Sequence, residues 1–214
     1  ATNTSSYNTA VGYAAGQSVT TGTQNTLIGG LAGDALTSGG NNIAIGYSAL
    51  SNADTDARNV AIGTRALEDQ NAGNNTYNTA IGYEAGKQVT TGIQNIILGA
   101  SAGDALTTGS QNVAIGYEAL GTEDEHGHNV AIGYYALRVQ DAGADAYNVA
   151  IGSNAGLSIT TGTQNVIIGG LAGDALTTCT RNVAIGYRAL SSETGAGQIT
   201  AIGHDALKNY NKGS

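Results

Sequence analysis

Apolar side chains occur along this chain in short bursts, each opened by Asn and closed by Gly, with polar turns between them. The fullest burst is Asn-Val-Ala-Ile-Gly-Tyr-Glu-Ala-Leu, Asn112 to Leu120. This phrase occurs twelve times, starting at Asn8, Asn25, Asn42, Asn59, Asn78, Asn95, Asn112, Asn129, Asn148, Asn165, Asn182 and, in a degenerate copy, Ile199. Position four is always Val, Ile or Leu, position five always Gly and position eight always Ala. Successive starts are evenly spaced, except for two slightly longer steps, Asn59 to Asn78 and Asn129 to Asn148, so four phrases make one larger unit. Units open at Asn8, Asn78 and Asn148, each preceded by Tyr. A fixed period of this kind predicts a solenoid, in which each repeat buries its apolar face only by stacking on its neighbours. The whole of 1–214 then reads as one repeat domain.

Positions one to five read as a strand, because β-branched residues sit between Asn and Gly. Side chains of a strand alternate between faces. Positions two and four put Val113 and Ile115 on one face; positions three and five put Ala114 and Gly116 on the other. Neither face is polar, and such a strand is usually covered on both sides. The expectation is that Val and Ile fill the coil. The Ala and Gly wall then meets a second body, most simply other copies of the chain around a symmetry axis, or else stands bare to solvent. In the second rung of each unit, position three enlarges to Leu27, Ile97 or Ile167 while position six shrinks to Gly30, Ala100 or Gly170. This reads as volume compensation.

The connectors after the first and second rungs carry an apolar anchor (Val19, Leu36, Val89, Leu106, Ile159, Leu176), then a polar pair, usually Thr-Thr, and a turn. They predict a second short strand, hence about twelve two-stranded rungs and a body on the order of 55 Å long at about 4.8 Å per rung. The Asn at position one is expected to form a structural ladder of amides along the axis.

Composition sharpens the picture. Phe, Trp, Met and Pro are absent and Gly numbers 33, which calls for a thin core of Ala, Val, Ile and Leu. A net charge of −8 without a basic patch argues against nucleic-acid binding. Cys179 is the only cysteine, so there is no intrachain disulfide framework. It replaces Gly39 and Gly109 of the sister units and reads as a tolerated turn substitution rather than a reactive thiol. No apolar run reaches the roughly 18 residues of a membrane span. The Ala1 opening is expected of a processed chain or an excerpt, and the closing Asn-Lys-Gly-Ser of an appended tail.

Candidate chemistry is sparse. His126-Gly127-His128 would set two imidazoles on one side of an extended segment, and three such pairs around a trimer axis could supply six nitrogens to a transition metal. The competing reading is a solvated acidic loop beside Glu123, Asp124 and Glu125. Thr pairs such as Thr20-Thr21 could form an ice- or glycan-binding array, but strand propensity also explains them. Tyr recurs at position six, as at Tyr13, Tyr47, Tyr83, Tyr117, Tyr134 and Tyr187, either to cover a turn or to contact a partner. No nucleophile elbow, phosphate loop or fixed carboxylate pair points to an enzyme.

The phrase Asn-x-Ala-Ile-Gly-x-x-Ala, carried from Asn8 to Leu207, resembles the head repeats of trimeric autotransporter adhesins, the YadA-like heads, and the repeat segments of bacteriophage tail fibres. The resemblance implies an all-β, left-handed parallel β-roll assembled as a homotrimer. It further implies a structural, adhesive segment outside the cytoplasm, on a virion tail fibre or a bacterial surface, that serves as a rigid spacer and contacts a cell-surface glycan or protein receptor during host attachment. The spacing of the rungs is long for such heads, and no neck, coiled-coil stalk or chaperone pattern occurs in the sequence, so both parents stay open. The alternative is a monomeric β-solenoid binding module for glycan or ice.

Overall fold

The computed structural model describes residues 6–195 and 197–211; the Ala1 opening and the final Lys212-Gly213-Ser214 lie outside them. Twelve short strands form one sheet: β1 (Thr9–Val11), β2 (Thr26–Ile28), β3 (Ile43–Ile45), β4 (Val60–Ile62), β5 (Thr79–Ile81), β6 (Ile96–Leu98), β7 (Val113–Ile115), β8 (Val130–Ile132), β9 (Val149–Ile151), β10 (Val166–Ile168), β11 (Val183–Ile185) and β12 (Thr200–Ile202). They pair in parallel and in sequence order, with no break at the unit boundaries. Each phrase position lies over the same position of the next rung, and the two longer steps keep that register, as Val60 over Thr79 and Val130 over Val149 show. The chain is an all-β solenoid.

The two faces are the reverse of the expectation. Position three is the inside: Ala44, Ala61, Ala80, Ala114, Ala131, Ala150 and Ala184 are fully buried, with the enlarged Leu27, Ile97 and Ile167. Positions two and four are the outside, where Val and Ile are half-buried or exposed, up to 44% at Ile96 within the stack. Outside the second rung of each unit the coil leaves room for only a small side chain from its strand, because Ala at position eight and Leu at position nine or an anchor at position twelve already occupy the interior. A methyl group is what fits opposite them.

The second expected strand does not form, so each rung carries one strand. The Thr20, Thr21 and Gly22 amides converge on one carbonyl, Thr37 O, at 2.9, 3.2 and 3.1 Å. A strand directs alternate amides to opposite sides; convergence on a single acceptor bends the chain instead. The compensation for Leu27, Ile97 and Ile167 is also placed differently. Position six points outward, and a Cβ on Gly30 would lie 3.5 Å from the Tyr47 ring. Room for the larger core side chain comes from glycine at position nine: a Cβ on Gly86 would lie 2.7 Å from Ile97 Cδ1. Rungs with Gly at nine carry Val, Leu or Ile at twelve, and rungs with Leu at nine mostly carry Ala, Gln or Glu there, so one large apolar group per rung fills the same space.

Position five needs glycine for a stricter reason. Gly99 has φ +132, and a Cβ there would lie 2.6 Å from Gly116 O of the next rung. The backbones stack at van der Waals distance, which forbids any side chain.

Candidate functional site

The asparagines form a continuous ladder inside the turn. Each Oδ1 accepts the backbone amide of the next rung's position one: Asn25 N to Asn8 at 2.8 Å, Asn112 N to Asn95 at 2.9 Å, Asn129 N to Asn112 at 3.0 Å, and at the end Ile199 N to Asn182 at 3.0 Å. In most rungs Nδ2 reaches across the coil to a carbonyl further along the same rung, as from Asn25 to Gly39 O (2.9 Å) and from Asn165 to Cys179 O (2.9 Å). Asn59, Asn78, Asn148 and the other inner members are fully buried. In the fourth rungs, whose connectors are longer, Asn59 and Asn129 turn instead to the carbonyl two residues behind them.

At the third-rung corner each unit buries one acid: Asp56, Glu123 and Glu193. Asp56 Oδ1 accepts Ala72 N (2.8 Å) and lies 3.5 Å from Gln70 Nε2, and Gln70 Oε1 accepts Asn78 Nδ2 (2.6 Å). Glu123, Gln140 and Asn148 repeat the chain at 3.0 and 2.8 Å. The carboxylate comes from a different sequence position in the first unit, yet it serves the same glutamine. Burial pushes the Asp56 carboxyl above its ordinary value, against hydrogen bonds from Ala72 and Gly73 that lower it. Its Oδ2 is buried with no partner.

The two histidines of the HxH segment part company. His128 takes a left-handed backbone (φ 64), so the segment is not extended through it. Its ring stacks on Tyr147 at 4.8 Å and faces Asp145 at 3.6 Å. His126 Nδ1 lies 3.1 Å from Glu123 Oε1. A side-chain donor atom from each of Glu123, Asp124, His126 and Asp141 falls within 4.8 Å of the others, a set that could take a divalent cation without His128. His204 is exposed beside Asp205 and Tyr187.

Two surfaces remain. The outer sheet face carries Val, Ile or Leu at twenty of its twenty-four positions, with Thr9, Thr26, Thr79 and Thr200 at the rest and no charge. Tyr at position six flanks it, exposed throughout; Tyr117 and Tyr134 stack at 5.7 Å, and Tyr135 packs against both. Next to these rings, on the second unit, opens a pocket of about 290 Å³ lined by Ser101, Asp104, Glu118, Gly121, Thr122 and Arg138. Arg138 Nε donates to Glu118 Oε2 (2.6 Å), and its guanidinium lies over the Tyr135 ring, 4.4 Å from the centroid. Burial raises the Asp104 carboxyl above its ordinary range, and Glu118 and Glu84 add to it.

The first hydroxyl of each Thr pair is engaged within the stack, as in Thr90 Oγ1 to Thr107 O (3.1 Å) and Thr107 Oγ1 to Asp124 O (2.9 Å). These oxygens present no free array. Cys179 is buried and its thiol is pushed up by burial, the opposite of an activated nucleophile.

The repeat itself could have revealed the pocket. With the units laid over one another, Asn8 on Asn78 on Asn148, Ser101 replaces Leu31 and Leu171, Glu118 replaces Ser48 and Arg188, and Arg138 replaces Glu68 and Lys208. Compared with known families, characterised proteins and solved structures, the chain matches none.

Proposed function

We propose that this chain is the rod segment of a homotrimeric extracellular fibre, a phage tail fibre or a surface adhesin head, that acts as a stiff spacer and carries receptor contacts. The observation behind this reading is the uncharged Val and Ile face. Parallel sheets are normally covered on both sides, and here the chain covers only one. Twelve rungs at about 4.8 Å and three residues at about 3.3 Å give an open strip on the order of 500 Å², in the upper part of the range of about 300–600 Å² for the largest apolar patch on a monomer, where such patches often serve contacts. The strip keeps one composition from β1 to β12, so an identical strip from another copy meets it in the same register along its whole length. Closure around a three-fold axis then hides all three strips in one seam. The resemblance to YadA-like heads and fibre repeats adds the trimer number and the extracellular setting.

The test is the mass of the chain in solution by sedimentation equilibrium. The expected result is a trimer that Ile132→Asp, at the centre of the strip, dissociates to folded monomer. A wild-type chain that stays monomeric at tens of micromolar overturns the proposal.

A further inference from the structure

The three units share a backbone and a core, so they serve as controls for one another. The second unit has a polar pocket beside an aromatic shelf, lined in part by residues that the sister units replace. Its walls offer two carboxylates (Asp104, Glu118) as acceptors, the Arg138 guanidinium as donor, the Ser101 hydroxyl, which can do both, and the Thr122 hydroxyl as a further acceptor, its proton being held by the Gln140 and Arg138 carbonyls at 3.0 and 3.2 Å. Arg138 lies over Tyr135, whose ring packs against Tyr117 and Tyr134, 44% and 48% exposed, so these rings neighbour the pocket wall without lining it.

This is the chemistry a pyranose needs. Its ring hydroxyls pair with carboxylates and guanidinium in the ring plane, and its C–H face lies on an aromatic ring. Small-ligand pockets begin at about 300 Å³, so a volume of about 290 Å³ suits one sugar ring rather than a peptide. Two carboxylates against one guanidinium leave the pocket a net acceptor, which disfavours sugars that carry a carboxylate of their own. We propose that the second unit holds a carbohydrate-binding site, with a neutral hexopyranose in the Ser101, Asp104, Glu118, Thr122 and Arg138 pocket and the adjoining sugar on Tyr117 and Tyr134.

The site deepens the receptor-contact part of the fibre reading and stands without the trimer. In a trimer the three copies would present it together, and multivalency would raise a weak single-site affinity. Ser101→Leu is the sharpest variant, because Leu31 and Leu171 already occupy this position in the sister units with the same left-handed backbone (φ 60 and 56, against 51 at Ser101). It is expected to fold and to obstruct the pocket.

The experiment is isothermal titration of the full chain with cellobiose, lactose and N,N′-diacetylchitobiose, with sialyllactose as the charged comparison. Saturable binding of at least one neutral disaccharide is expected, weakened at least about tenfold by Ser101→Leu and by Tyr117→Ala with Tyr134→Ala, while sialyllactose binds more weakly than lactose. The proposal is overturned if none of the neutral sugars binds, if sialyllactose binds as well as lactose, or if Ser101→Leu binds like the parent. The mass of the same samples reports on the fibre reading separately: a monomer that binds sugar keeps the site and removes the trimer, and a trimer that binds none does the reverse.

Discussion

Truncating one rung of the asparagine ladder gives a graded test of what holds the stack together. Asn112 Oδ1 accepts Asn129 N at 3.0 Å and Asn112 Nδ2 donates to His126 O at 3.1 Å. Asn112 and Asn129 are fully buried. Asn112→Ala therefore leaves the Asn129 N donor unpaired where water does not reach, at about 1–3 kcal/mol, and the His126 O acceptor unpaired at a part-buried site, at the low end of that range, or about 2–4 kcal/mol together. Asn8 makes the same two kinds of bond, to Asn25 N and Gly22 O, both at 2.8 Å, but it is only part-buried at the end of the stack. Water can replace its amide, so Asn8→Ala should cost about 1 kcal/mol. Asn112→Asp keeps the acceptor toward Asn129 but sets a carboxylate against the His126 carbonyl. It should be at least as damaging as Ala at pH 7 and recover in part when acid protonates it. Urea denaturation at fixed protomer concentration gives the global cost, because assembly would otherwise shift the midpoint. Hydrogen exchange at the Asn129 amide gives the local one, since a repeat array can open rung by rung. Equal losses for Asn8→Ala and Asn112→Ala, or an Asn112→Ala loss below about 1 kcal/mol by both methods, would refute the ladder as the source of stacking energy.

The exchange between positions nine and twelve should appear as strong coupling. Gly156→Leu alone overpacks, since a Cβ there would lie 2.9 Å from Ile159 Cδ1, and Ile159→Ala alone opens a cavity worth about 2–5 kcal/mol. The double variant rebuilds the pattern of Leu50 with Ala53 and should be more stable than the summed singles by at least about 1 kcal/mol in a denaturation cycle; additive losses would contradict the packing account. A second expectation concerns Asp56, whose carboxyl burial raises above 3.8. The folded state then binds the proton more tightly than the unfolded chain, so the group favours folding fully below its unfolded value and loses that contribution as pH rises through the folded one. Asp56→Asn keeps an acceptor for Ala72 N, and its stability relative to the parent should be greatest at pH 7 and shrink toward pH 4 in paired urea titrations. A difference that does not change with pH rules out the buried charge.

The repeat, its register and the asparagine positions were legible because each is an absolute constraint on one residue type. Gly at position five answers to a backbone contact, Ala at eight to a filled interior, and Asn at one to a donor and an acceptor in fixed places. The inner face was not legible from alternation alone. Both faces of Val113-Ala114-Ile115 are apolar, and size points the wrong way unless the width of the coil is known; that width is set by Leu120 and Leu106 arriving from the far wall. The second strand failed for a similar reason. Thr-Thr has the propensity, but three amides sharing Thr37 O take the geometry elsewhere. His126 and His128 looked paired because sequence spacing assumes an extended backbone, and His128 itself takes a left-handed one.

Binding chemistry in such a molecule is to be sought where the period fails. Most positions that the stack constrains are repeated, the buried acids Asp56 and Glu123 being an exception, so a surface residue that differs between units has been released from holding the coil. Ser101, Glu118, Tyr135 and Arg138 all depart from their counterparts, and they depart together on one corner. The apolar strip shows the opposite behaviour. Val, Ile or Leu persists at position four in every rung although the chain itself leaves that face open, as it would if the proposed partner restricted it from outside the coil. A partner with the same twelve-rung period satisfies that restriction along the whole strip, whereas a globular partner would impose it on only a few rungs. The Val and Ile face thus argues for self-assembly and the irregular corner at Ser101 for recognition, and the two can be broken by separate substitutions, Ile132→Asp and Ser101→Leu.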